Sequence, residues 1–171
     1  MMRKALDLLE RICQIGAVVA LVVVVVAVAW QVTARYVTQA STAWAPELAQ
    51  IAFVWCSLLS IAIGVRHGRH MMIDVWGGIK NVWVQRAVTT FATAVVVAVS
   101  GTLAYFGYNM LAVAMRRTLP GLGVAAGWAN LAVPVGFVLC VIFAIEVWWD
   151  DLTGKPKPAD EEVGEYAPGV G

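Results

Sequence analysis

The sequence predicts an all-α integral membrane protein: four transmembrane helices, both termini cytoplasmic, and short interfacial amphipathic helices beside them. Three observations carry that prediction. The 171 residues are 61% apolar and only 13% charged, with a mean hydropathy of +0.78. Soluble domains are about 45–50% apolar and about 25% charged. Second, four charge-free segments can each cross a bilayer: Ile12–Ala34, Leu48–Val65, Ala87–Met115 and Thr118–Ile145. Third, the basic residues fall unevenly between the connections. Arg3, Lys4, Arg11, Arg66, Arg69, Lys80, Arg86, Lys155 and Lys157 lie on one side, against Arg35, Arg116 and Arg117 on the other. The richer side is the cytoplasmic one.

Each element has its own justification. The first run has 23 residues, beyond the roughly 7–15 of a signal-peptide core, so a membrane span is expected there, about 12–34. Ahead of it, Leu6, Leu9 and Cys13 line one side while Lys4, Asp7, Glu10, Arg11 and Gln14 are polar, which predicts a short helix on the inner membrane surface. The second span, about 46–65, opens after Pro46, and its 18 charge-free residues reach roughly 27 Å as a helix. The piece Ile73–Trp83 is mixed and reads as a second interfacial segment. The third span is expected over about 87–111. Pro120, Gly121 and Gly123 then mark a turn before the fourth, about 127–149. Tryptophans at 30, 44, 83, 128, 148 and 149 sit near the predicted ends, where indole favours the headgroup region. Residues 1–150 thus read as one four-helix membrane domain, and 151–171, rich in Pro, Gly, Asp and Glu, as a polar cytoplasmic tail.

Composition also excludes classes of function. A net charge of +1 offers no basic field for nucleic acid. Cys13, Cys56 and Cys140 are scattered through apolar runs and read as packing residues. No nucleophile–histidine–acid set, phosphate-cradling loop or CxxC pair is visible, and neither histidine lies within a span, so no catalytic residue and no cofactor is expected. His67, His70 and Asp74 share a helical face and could in principle ligate a metal. Arg66 and Arg69 would repel a cation there and Gly68 would weaken the aligning helix, so no metal site is expected. The stretch reads instead as a cytoplasmic helix exit, with His70 and Asp74 holding the turn that follows.

The second span carries the most information. At 100° per residue, Gln50, Ser57, Ser60 and Gly64 fall within an arc of about 80°, with Leu48, Ile51, Trp55 and Leu59 opposite. Small and polar stripes in membrane helices face protein rather than lipid. Packing among the chain's own helices and contact with a second subunit both remain open. Glu47, in the first turn beside Trp44, gains from the helix dipole at the outer interface, with Arg35 as a candidate partner. Pro134 removes one amide donor inside the fourth span, so a bend is expected there.

These pieces in their order resemble a family: the small membrane subunit of tripartite ATP-independent periplasmic (TRAP) transporters. The resemblance rests on Arg35, then Trp44-Ala45-Pro46-Glu47-Leu48, then Trp55, Gly64, Arg66-His67-Gly68-Arg69-His70 and Asp74, then Thr118-Leu119-Pro120 and Leu131-Ala132-Val133-Pro134-Val135-Gly136-Phe137. Pro46 departs from it, standing where an acidic or polar residue is expected. The resemblance implies a non-catalytic scaffold subunit in the bacterial inner membrane. Its implied partners are a large multi-helix subunit that carries the transport sites and a periplasmic substrate-binding protein. The implied cargo is an organic acid and the implied driving ion is sodium. A contrasting reading is a self-sufficient four-helix, proton-coupled exporter that uses Glu47 as its carboxylate.

Overall fold

A computed structural model describes residues 2–37, 42–67 and 82–153. They form five helices: α1 (Met2–Val37), α2 (Trp44–His67), α3 (Val82–Ala114), α4 (Gly127–Asn130) and α5 (Ala132–Thr153). Four helical stretches are long and apolar enough to cross a membrane: Leu6–Val37, Trp44–His67, Ala87–Ala114 and Gly127–Trp149. Helices α1, α2 and α3 supply one each, and α4 with α5 the fourth.

The expected separate surface helix before the first span does not form. Residues 2–11 are instead the opening turns of α1, a continuous helix of 36 residues. The physical reason is visible in the chain: no Gly or Pro interrupts it before Gly16, and Asp7 and Glu10 find a buried cationic partner rather than water. The second expected interfacial segment, Ile73–Trp83, lies outside the described residues except for its last two, which begin α3.

Helices α1 and α2 form an antiparallel hairpin with an unusually small-residued seam. On α1 the inward positions are Leu6, Glu10, Cys13, Ala17, Ala20, Val24, Ala27, Gln31 and Ala34; on α2 they are Ala45, Ala49, Ala52, Cys56, Leu59, Ile63 and Arg66. Both series step by alternating threes and fours, the 3.5-residue period that keeps a left-handed pair in register along its length. Alanines let the two backbones approach closely, which is how membrane helices gain dispersion contacts without a hydrophobic driving force. At Gly16 an added Cβ would lie 3.2 Å from the Leu59 side chain.

From α2 the packing passes to α5 and from α5 to α3, so the spans form an open chain of neighbours, α1–α2–α5–α3. Glycines set the two further crossings. A Cβ at Gly136 would meet the Leu58 Cβ at 2.7 Å, and one at Gly107 would meet Val133 at 2.7 Å. Ala62, Cys140 and Phe143 form the tightest core, with Leu9, Val65, Phe137 and Leu139 around it. Outside these seams, large apolar side chains such as Val18, Val22, Val25, Phe91, Val99, Phe106 and Ile142 are exposed, as a lipid-facing surface requires.

The fourth span is interrupted at Leu131, between α4 and α5. Pro134 offers no amide to the Asn130 carbonyl, and the next ladder bond, Val135 N–H to the Leu131 carbonyl, is stretched to 3.4 Å. Leu131 itself keeps helical angles and donates to the Gly127 carbonyl at 2.8 Å, and the Trp55 indole N–H donates to the Trp128 carbonyl at 3.1 Å, tying this stretch to α2.

Candidate functional site

Two arrangements of polar groups stand out, one at each end of the helices. The near end is where α1 begins and α2 ends. There Arg66, in the last turn of α2, folds back into the helix packing and is only 8% exposed. Its guanidinium donates to Asp7 Oδ1 at 2.7 Å, to Glu146 Oε1 at 2.7 Å, to Glu10 Oε2, and to the Leu6 carbonyl at 3.3 Å. It also lies over the Phe143 ring, 5.5 Å from the centroid. One side chain of α2 thereby joins α1 and α5. Glu10 holds two further partners through Oε1, the His67 Nε2 and the Gln14 amide. The other Glu146 oxygen, Oε2, is buried without a hydrogen-bond partner among the described residues.

The far end is built around Glu47. The connection between α3 and α4 doubles back on itself: Thr118 pairs with Ala125 in an antiparallel bridge, and Gly123 takes a φ of 68°. That turn presses on the start of α2 so closely that a Cβ at Gly121 would sit 2.5 Å from the Ala43 carbonyl oxygen. Two successive amides then face the Glu47 carboxylate. Gly121 N–H donates to Oε1 at 3.0 Å and Leu122 N–H to Oε2 at 2.8 Å. Consecutive amides around one anion form a small nest. Both carboxylate oxygens are thus engaged by the loop, while Arg35, the partner expected from the sequence, is exposed near the end of α1. The sequence lacked the information needed here, because the amides lie some 75 residues from Glu47.

The remaining residues singled out in the sequence separate cleanly. Gln50, Ser60 and Gly64 are exposed, Ser57 is half-buried, and nothing lies within 4 Å of a Cβ built at Gly64. The stripe on α2 therefore faces away from the chain's other helices, whereas Leu48, Ile51, Trp55 and Leu59 are half-buried. Trp44 is the first residue of α2 and is 37% exposed. Pro134 is half-buried at the α4–α5 interruption. His70 and Asp74 lie outside the described residues. His67 turns to Glu10, and among the described residues no group of His, Cys, Asp or Glu is arranged to hold a metal ion.

Reasoning from sequence missed Asp7, Glu10 and Glu146 as partners of Arg66. One signal was available: Glu146 is the first charge after the charge-free Thr118–Ile145 run, and a carboxylate at a span end usually has a partner. Which cation it meets, 80 residues away, was not legible.

Comparison with known proteins agrees with this architecture. The family profile described as "Tripartite ATP-independent periplasmic transporters, DctQ component" matches residues 24–154. The chain is similar to the sialic acid TRAP transporter small permease protein SiaQ of Vibrio cholerae, 27% identical over 147 residues, which cover 85% of this chain and 83% of that one. It is also similar to the C4-dicarboxylate TRAP transporter small permease protein DctQ of Pseudomonas aeruginosa. There the identity is 29% over 109 residues, 61% of this chain and 52% of that one.

Proposed function

Because the chain belongs to the DctQ family of TRAP transporter components, and is thus a membrane-spanning transport subunit rather than an enzyme, we propose that it scaffolds a large transport subunit during uptake of an organic acid. A periplasmic binding protein delivers the substrate and a sodium gradient drives the uptake. In this reading the near end, with both termini, is cytoplasmic and the Glu47 loop faces the periplasm of a bacterial inner membrane. The two relatives named for sialic acid and C4-dicarboxylate share a carboxylate-bearing substrate, which supports the organic-acid class.

The observation that carries the scaffold role is the outward stripe of α2. A helix with Gln50, Ser60 and Gly64 turned away from its described neighbours, and Ser57 half-buried at the edge of that stripe, exposes hydrogen-bonding groups and a close-approach point within the membrane. Lipid cannot satisfy those groups, and a second protein can. The large subunit is the partner the family provides. Gly64→Leu tests this directly, because no described residue of this chain occupies that space. The variant should insert and unfold like wild type, while its recovery with the co-expressed large subunit falls at least about tenfold, the effect of losing roughly 1.4 kcal/mol of contact. Undiminished recovery would place the interface elsewhere.

The exporter reading fares less well. A coupling carboxylate must exchange its proton between two sides, yet the Glu47 oxygens are both occupied in holding a loop at the helix end.

A further inference from the structure

The Arg66 cluster does more than join helices: we infer that it sets the register of the α1–α2 hairpin. The need for such a device follows from the seam. By interpolation between the Glu10–Arg66 and Gly16–Leu59 contacts, Cys13, Ala17, Ala20 and Ala27 on α1 face Ile63, Leu59, Cys56 and Ala49 on α2, so the α1 side of the seam is small at each position. A slide of one turn sets Ile63 and Leu59 against Ala17 and Ala20, again small residues, so the apolar packing distinguishes the two registers weakly. Among the described elements the others add little, since α1 packs extensively on α2 alone.

At the near end the situation is opposite. The Arg66 guanidinium meets Asp7, Glu10 and the Leu6 carbonyl of α1 and Glu146 of α5 at the same time. Sliding α1 by one turn moves its carboxylates about 5 Å from the guanidinium. A slide toward the far end puts Asp7 in the place of Glu10 and carries Glu10 a turn deeper into the seam, whereas a slide the other way puts the neutral Gln14 in that place. A slipped hairpin therefore either buries Glu10 away from the guanidinium or replaces it there by a neutral amide, and compensates the buried charges less well than the native one. Because Glu146 belongs to α5, the same group also indexes the hairpin against the rest of the molecule.

The composition of the cluster supports a role in specificity over one in stability. Three carboxylates share one guanidinium, and Glu146 Oε2 stays buried with no partner among the described residues. Buried ionic groups of this kind are poor sources of net stability, and their best attested use is to select one register among similar ones. Arg66 is thus a positioning residue, acting through α1. The inference rests on the hairpin alone, so it stands or falls independently of the proposed partner.

Thiol cross-linking in native membranes reads the register, because Cys13 already lies in the seam. With Cys56→Ala and Cys140→Ala, two single-cysteine reporters are added in turn. Ile63→Cys lies opposite Cys13 by interpolation between the Glu10–Arg66 and Gly16–Leu59 contacts. Leu59→Cys lies one turn away. With Arg66 intact, a short cross-linker should join Cys13 to position 63 and leave position 59 unlinked. Neutralising the cluster (Arg66→Met with Asp7→Asn, Glu10→Gln and Glu146→Gln) should lower the 63-to-59 ratio at least about tenfold. If that variant fails to accumulate, Arg66→Lys, which keeps the charge but loses the forked donors, should lower the ratio by a smaller, measurable factor. A ratio equal to wild type in whichever of these variants inserts would show that the alanine seam sets the register by itself and would overturn the inference.

Discussion

At the scale of single residues, Arg66 and Glu47 illustrate how the same chemistry is used in two ways. Arg66 is a long cation with its side chain 4% exposed, held by carboxylates from two other helices. Removing it leaves Glu10 and Glu146 buried without compensation, so Arg66→Ala should destabilise the protein by about 3–5 kcal/mol, read from unfolding in mild detergent. The sequence had placed Arg66 among the positive charges that orient the chain, which describes its side of the membrane and misses its burial. Glu47 is an anion met by backbone amides. Glu47→Ala should cost about 1.5–3 kcal/mol, the worth of a hydrogen bond to a charged group. It should also speed hydrogen exchange at Gly121 and Leu122 specifically. Glu47→Gln keeps one acceptor and should lie between. Equal exchange in all three proteins would mean that the loop is held by the close contact at Gly121 alone.

At the scale of elements, glycine positions sort into those that pack against this chain and those that do not. Gly136 sits where α5 crosses α2, with Leu58 in the space a side chain would need. Gly136→Leu should therefore destabilise the isolated chain by at least about 1–3 kcal/mol through overpacking. Gly64→Leu should leave it unchanged, because no described residue of this chain lies within 4 Å of a side chain there. Thermal unfolding of the two variants side by side checks the contrast, and similar losses in both would remove the argument that the α2 stripe faces outward. The spans themselves were legible, since long charge-free runs have few alternatives to a membrane helix. The continuity of α1 was not, because an amphipathic opening reads as a surface helix until the buried partner of its polar side is known. The interruption at Leu131 was half legible: Pro134 announced a disturbance, and the tertiary contact from Trp55 shows where that stretch is tied to α2.

At the scale of the whole molecule, the open succession α1–α2–α5–α3 leaves an exposed apolar face on each span. Such an object is suited to bracing another membrane protein. The matching expectation is that liposomes holding this chain alone take up no organic acid. Uptake should appear only with the large subunit and the periplasmic protein present, and should collapse with the sodium gradient. Uptake of labelled dicarboxylate or sialic acid in the three-component and one-component systems decides the point. Transport by the chain alone would return attention to the exporter reading.

The sequence by itself determined the class of molecule, the four spans, the family and the presence of a small-polar stripe on α2. All of these depend on local composition, periodicity and motif order, which a linear chain records directly. Only the tertiary structure decided which way that stripe points, that Glu47 holds a loop, and that Asp7, Glu10 and Glu146 converge on Arg66. Those facts depend on pairings between residues 56 to 80 positions apart. In a membrane, moreover, the outside of the protein is as apolar as its inside, so the hydrophobic pattern that orients helices in water carries no such instruction here. Small residues and buried charges supply it instead, and their partners become known only once the helices are packed.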